Sequence, residues 1–210
     1  MSDVRKAERK KLYTYGDYLN WPEDQRWEIL DGEAFAMTPA PTTDHQRISR
    51  ELTLAIGGWL AGKPCEMFVA PVDVLMPKGN EADEKITTVV QPDILVVCDP
   101  DKVKRRGIRG APDFVIEIVS PATVSRDQVR KRRLYERHGV REYWVVHPDD
   151  RLVTVYRRAK RGETFAASEV FDVDGLQLEV GVLPGLVVDF GRVFPARPVV
   201  VRESPGPYPG

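Results

Sequence analysis

The chain has 210 residues, with 31 Lys and Arg against 32 Asp and Glu, a formal net charge of -1, 42% hydrophobic residues, two Cys and three His. That length suits one domain with a real core, and the near-neutral balance speaks against coating nucleic acid by bulk electrostatics. The longest apolar runs fall far short of the roughly 20 residues a bilayer needs, and the charged opening MSDVRKAERKK is no secretory signal, so the cytoplasm is the expected location.

Residues 1–12 read as a flexible basic N-terminus. Thr14 to Trp21 reads as a short helix or turn stopped by Pro22, and Trp27 to Met37 as a hairpin turning at Asp31-Gly32, a strong local hairpin signal. After Pro39 and Pro41, Thr43 or Asp44 caps a helix running to about Ala61, with Ile48, Leu52, Ala55, Ile56 and Trp59 at three- and four-residue spacings. Three strands follow: Met67 to Met76, Asp93 to Cys98 and Asp113 to Val119, each rich in Val and Ile. Pro121 opens and Gly139 closes a second helix over Thr123 to His138. Further strands are expected at Glu142 to Val146, Leu152 to Arg157, Thr164 to Val170 and Val187 to Phe190. From Pro195 the last 16 residues hold five of the 17 prolines, the composition of a disordered tail. The order helix, three strands, helix, strand, with added hairpins, gives an α/β fold: a mixed central sheet flanked by helices in one domain over residues 13–194.

Charge is segregated along the chain. Asp17 to Glu33 holds six acids and one base, whereas residues 102–109 (KVKRRGIR) hold five bases and no acid, and Arg126 to Arg137 holds six bases against two acids. Most of this reads as solvated surface. Cys65 and Cys98 stand alone, with no CxxC. Neither a disulfide framework nor a structural zinc site is expected from them, and both read as small buried hydrophobes.

The strand from Asp113 to Val119 alternates Phe114, Ile116 and Ile118 against Val115, Glu117 and Val119, so Glu117 lies in a strand whose two faces are both apolar. An unpartnered buried carboxylate costs several kcal/mol, so Glu117 must be protonated, paired or metal-bound. Asp93 stands at the start of the preceding apolar strand. Two acids on neighbouring strands suit a hard divalent cation, which takes oxygen ligands from rigid elements and keeps positions for water and phosphate. On the second helix Asp127, Lys131 and Tyr135 share a face. They form either a surface pair with a core tyrosine behind it, or a lysine aimed at the two acids.

These residues carry a resemblance. Gln91-Pro92-Asp93, residues 112–121 (PDFVIEIVSP), Arg126-Asp127 with Lys131 and Tyr135, Gly139-Val140 and Glu142-Tyr143-Trp144 resemble the Uma-type family of endonucleases, within the restriction-endonuclease-like PD-(D/E)xK superfamily. Residues 27–33 (WEILDGE) and His45 extend the likeness to roughly residues 13–194. It implies an α-β-β-β-α-β nuclease core in which Asp93 and Glu117 bind Mg²⁺ or Mn²⁺. Two residues after Glu117, where the superfamily pattern has Lys, this chain has Val119. The resemblance therefore implies that the catalytic lysine has moved to the helix, as Lys131.

Glu28 is either a further metal ligand or an exposed strand acid. His45, in the first turn of a helix, reads as a phosphate or carboxylate contact or as a polar residue of the cap region. Arg105, Arg106, Arg130 and Arg133 are candidate DNA phosphate contacts, which give affinity without sequence choice. Asp73 is within reach of the site without a role the sequence decides. His138 and His147 read as structural. The expected activity is metal-dependent hydrolysis of DNA by a homodimer. Its rival is a catalytically inactive nuclease-fold module that binds protein or nucleic acid.

Overall fold

Two six-stranded sheets and a two-stranded one organise the chain. The computed structural model describes residues 11–22, 24–37, 41–119, 126–160 and 162–194. The expectations for residues 1–10, for the tail from Pro195 and for the helix entry at Ser120-Pro121 and Thr123 lie outside the described residues. So does the side chain of Asp127. In chain order the first half contains α1 (Tyr15–Tyr18), β1 (Trp27–Leu30), β2 (Glu33–Ala36), α2 (Thr43–Leu60), β3 (Glu66–Val69), β4 (Val74–Leu75), β5 (Val89–Val90), β6 (Ile94–Val97), β7 (Val103–Lys104) and β8 (Gly107–Arg109). The second half contains β9 (Phe114–Ile118), α3 (Arg126–His138), β10 (Glu142–His147), β11 (Leu152–Arg157), β12 (Glu169–Asp172), β13 (Gln177–Glu179), β14 (Val187–Asp189) and α4 (Phe190–Val193).

The central sheet has the order β12-β11-β10-β9-β6-β3. Its β9 and β10 are parallel and joined through α3, while β6–β9, β3–β6 and β10–β11 are antiparallel, so the sheet is mixed as expected. β9 is buried along its whole length. Phe114, Ile116 and Ile118 pack into one apolar cluster with Ile48, Leu52, Ile56 and Leu60 of α2. Val115 and Val119 join a second cluster with Leu134 and Tyr135 of α3 and with Leu30, Val74, Val90 and Ile108 from the other large sheet, of order β2-β1-β5-β4-β8-β7. The period-two alternation of β9 therefore divides its side chains between a layer built on α2 and one built on α3 plus the second sheet.

Local chemistry sets the element ends. Asp31 (φ 51°) and Gly32 (φ 84°) both take positive φ, the backbone a two-residue hairpin turn needs between β1 and β2. α2 is capped one residue earlier than expected, by Thr42, whose side chain accepts from the His45 N–H at 3.2 Å. α3 ends as the sequence suggests: Gly139 adopts φ 99°, and the Val140 N–H closes on the Tyr135 carbonyl at 3.0 Å.

Three expectations need correction. The single strand from Met67 to Met76 is two strands in different sheets, β3 and β4. The chain turns off the central sheet at Ala70-Pro71, where proline offers no N–H to continue a ladder. The strand expected over Thr164 to Val170 lies at Glu169–Asp172, with Phe165 held to Arg158 by an isolated bridge. Finally, Cys65 and Cys98 form a disulfide. The β3–β6 register pairs Glu66 with Val97, and one step further out it sets the two cysteines opposite each other. They are half-buried against the α2 side of the core. Reducing the bond, or replacing both cysteines by alanine, is expected to lower unfolding free energy by about 2–4 kcal/mol, read from urea titrations with and without reductant. In a reducing compartment the pair would stand as a dithiol.

No helix among the described residues is long and apolar enough to cross a membrane.

Candidate active site

The two strand acids meet across the β6–β9 pair. Ile94 pairs with Ile116, and the same register carried one residue outward sets Asp93 opposite Glu117. Asp93 is fixed on both oxygens: Oδ2 accepts the Ile118 N–H at 2.7 Å, and Oδ1 lies 3.2 Å from His45 Nε2. Thr42 holds the first turn of α2, which brings His45 to this position. Burial disfavours the charged ring of His45, but the hydrogen bond and charge of Asp93, helped by Glu117, raise its pKa above the ordinary value.

Glu117 lies deeper, only 7% exposed. Its Oε1 accepts from Lys131 Nζ at 3.0 Å and from the Tyr135 hydroxyl at 2.6 Å. Among the described residues no hydrogen bond is made to its Oε2. Lys131 also contacts Glu28 Oε1 at 2.8 Å, so one ammonium bridges a carboxylate from each large sheet. The helix face read from spacing is real: Lys131 and Tyr135, one turn apart on α3, converge on one oxygen. The alternative of a surface Lys131 does not hold, since its side chain is only 13% exposed.

Glu28 is likewise not an exposed strand acid. It is buried on β1, and its Oε1 also accepts the Gln91 N–H at 2.8 Å. Gln91 extends the network through its side chain, accepting from Arg26 Nε at 2.9 Å and donating to Asp73 at 2.8 Å and to the Tyr18 hydroxyl at 3.2 Å. Tyr18 in turn donates to Asp73 at 3.1 Å. Asp73 is thus a support two hydrogen bonds removed from Glu28. Gln91, Tyr18 and Arg26 were not singled out by residue type, because their partners lie far along the chain and no local spacing joins them.

Three carboxylates, Glu28, Asp93 and Glu117, share this space with Lys131 and His45. Burial, together with the charges of Asp93 and Glu28, outweighs the pull of Lys131 and the Tyr135 hydrogen bond, so the Glu117 carboxyl is pushed up to about 7. Lys131 is held well above the ordinary lysine value: the charges of Glu117 and Glu28 overcome a large burial penalty. The ammonium stays charged, while Glu117 carries surplus negative potential. A divalent cation would relieve that surplus, and Glu117 Oε2, which takes no hydrogen bond among the described residues, fits oxygen ligation of that kind. Among the described residues no three His, Cys, Asp or Glu side chains converge as a ready-made metal cage. Asp93 and Glu117 are the residues that would hold such a cation, and two carboxylates with water completing the shell are a donor set that Mg²⁺ or Mn²⁺ accepts.

The four candidate phosphate arginines are not gathered. Arg130 pairs with Glu33 at 3.2 Å, with its guanidinium 5.3 Å from the Phe35 ring centre. Arg133 is exposed on α3 and helps line a cavity of about 370 Å³ against the β1–β2 hairpin, together with Leu30, Asp31 and Arg137. Arg105 and Arg106 sit at the β7–β8 turn, where Arg106 faces a separate cavity of about 190 Å³ beside Tyr15 and Asp83. Of the other histidines, His147 lies 3.3 Å from the Thr154 hydroxyl, and burial lowers the pKa of both His138 and His147.

Comparison with known proteins bears on the family and the fold. The chain is 29% identical over 178 residues to the uncharacterized protein slr1290 of Synechocystis sp. (strain ATCC 27184 / PCC 6803 / Kazusa), covering 79% of this chain and 87% of that one. Its backbone superposes with TM-score 0.66 and 24% identity on a crystal structure titled a putative nuclease belonging to DUF820, from Anabaena variabilis ATCC 29413. That match covers 86% of this chain and 97% of the other and shows the fold to be restriction-endonuclease-like. The Uma2 family model, described as "Putative restriction endonuclease", matches residues 15–190, and with that span the chain belongs to the Uma2 family.

Proposed function

We propose that the chain is a divalent-cation-dependent endonuclease that hydrolyses DNA phosphodiester bonds, with Asp93 and Glu117 as cation ligands and Lys131 as the relocated catalytic lysine. The observation that carries this reading is the Lys131 ammonium, buried between Glu28 and Glu117 on the strand neighbouring Asp93. A bound Mg²⁺ or Mn²⁺ would supply a Lewis acid for the phosphate and a water of lowered pKa. The protein's own groups do the rest. Lys131, permanently charged, orients the attacking water and offsets negative charge as the phosphorus becomes five-coordinate. Glu28 holds Lys131 in place from the second sheet and is not itself a ligand in this scheme. His45 fixes the rotamer of Asp93. Arg105, Arg106, Arg130 and Arg133 give the DNA strand electrostatic contacts outside the site. Two such sites in a symmetric pair would cut both strands of a duplex.

A non-catalytic module gains no support from this cluster. Buried charges seldom stabilise a fold beyond what apolar residues of the same volume achieve. Two buried acids sharing one buried lysine, with a third, part-exposed acid on the next strand, therefore favour the catalytic reading.

Supercoiled plasmid incubated with the protein and Mg²⁺ or Mn²⁺ is expected to become nicked, chelator to stop the reaction, and Asp93→Ala and Glu117→Ala each to abolish it. Robust metal-dependent nicking that survives both substitutions would overturn the assignment.

A further inference from the structure

The Tyr135 hydroxyl is fully enclosed and lies 2.6 Å from Glu117 Oε1, the same oxygen that Lys131 contacts. Two donors on one carboxylate oxygen fix the rotation of the whole group and leave Oε2 without a protein partner among the described residues. The ring has little room to move. Its centroid is 4.8 Å from that of Tyr143, which stacks on Tyr156 at 5.6 Å, and Tyr156 lies 5.8 Å from Phe165. Tyr143 belongs to β10, whose parallel register with β9 sets Val145 beside Glu117. The hydroxyl is thus located by an aromatic stack built on the strand next to the one that carries Glu117. The phenol donates its O–H to that carboxylate oxygen.

We infer that Tyr135 is a positioning residue: it locks Glu117 with Oε1 turned to Lys131 and Oε2 presented, beside Asp93, to a divalent cation. The inference rests on the proposed cation site and adds the group that orients its deeper ligand. A donor of this kind behind a ligating carboxylate typically changes metal affinity by about 10–100-fold when removed. Tyr143 gives an internal control, since it occupies the same stack and its buried hydroxyl has no hydrogen-bond partner among the described residues.

The test is calorimetric titration of the full chain with Mn²⁺, in the absence of DNA, for the wild type, Tyr135→Phe, Tyr143→Phe and Glu117→Gln, with melting curves recorded with and without metal. Tyr135→Phe keeps the ring and removes the donor. It should bind Mn²⁺ about 10–100-fold more weakly and lose a matching part of the metal-induced rise in melting temperature. Tyr143→Phe should titrate like the wild type, and Glu117→Gln should lose uptake. Unchanged Mn²⁺ affinity in Tyr135→Phe, with wild-type uptake intact, would overturn the role of Tyr135 and leave the cation site standing. Equal weakening in Tyr143→Phe would assign the effect to the stack and also overturn it. A wild type that takes up no Mn²⁺ would remove both the cation site and this inference.

Discussion

Lys131→Met is expected to lower DNA nicking by about 10²–10³-fold and to destabilise the fold by about 3–5 kcal/mol at pH 8. The structural part follows from what the ammonium touches. It is the cationic partner of both Glu28 and Glu117, each buried, and a methionine of similar length leaves the two carboxylates facing each other without it. The loss should depend on pH with a defined sign. Glu117 has a folded-state pKa raised to about 7 from 4.5. Between those values the native state binds more protons than the unfolded chain, so the contribution of this group to stability falls as pH rises through the window. Without Lys131 the carboxyl is pushed higher still and the window extends upward. Urea titrations at pH 8 and pH 6 should therefore show a smaller deficit for Lys131→Met at the lower pH. Equal stability of the variant and the wild type at pH 8 would mean that the carboxylates have other partners, and the charge argument would fall.

Trp144→Ala is expected to cost about 3–5 kcal/mol without touching the site. Trp144 is fully enclosed on β10, paired across the sheet with Ile116 and Val155. Its ring lies edge-on to Phe114 with centroids 5.1 Å apart and 5.9 Å from that of Phe190, so truncation opens a void between the central sheet and α4. The indole also has a polar duty. Nε1 donates to Glu142 Oε1 at 2.7 Å, and this buried carboxylate is further held by Arg157 at 3.0 Å and by the Val182 N–H at 3.0 Å. Trp144→Phe retains most of the packing and removes only that donor, so a smaller loss of about 1–2 kcal/mol is expected. Urea midpoints for the pair separate the cavity from the hydrogen bond. A Trp144→Ala loss below that of Trp144→Phe would contradict this division.

What was legible in the sequence was whatever has a local period. α2 shows its buried face as Ile48, Leu52 and Ile56 at four-residue spacing, and β9 shows its two faces by alternation. The β1–β2 turn is written in Asp31-Gly32. Beyond the β1–β2 hairpin the second large sheet was nearly invisible, because β4, β5 and β7 are two-residue strands, too short to alternate. The Cys65–Cys98 bond was hidden for a related reason: two isolated cysteines become opposite neighbours only through the β3–β6 register. Within the site, Asp93 and Glu117 stood out as charges in apolar strands, whereas Lys131, one of six bases along α3, was left open by its spacing and was picked out only through the family resemblance. The pairing of Glu28 with Lys131 was not recoverable, since it joins a hairpin near the start of the chain to a helix far along it. Tyr135 sat in view on the Lys131 face, but nothing in its spacing distinguished a core ring from a donor.

The bridge made by Lys131 has a consequence for how this fold can change. Its two carboxylate partners sit on different sheets, so the same three side chains join the two large sheets and set the charge balance between them. A descendant that lost only the lysine would inherit two opposed buried carboxylates. Change at this bridge is therefore least costly when Glu28, Glu117 and Lys131 are replaced together. The lysine-only variant is the intermediate least able to persist.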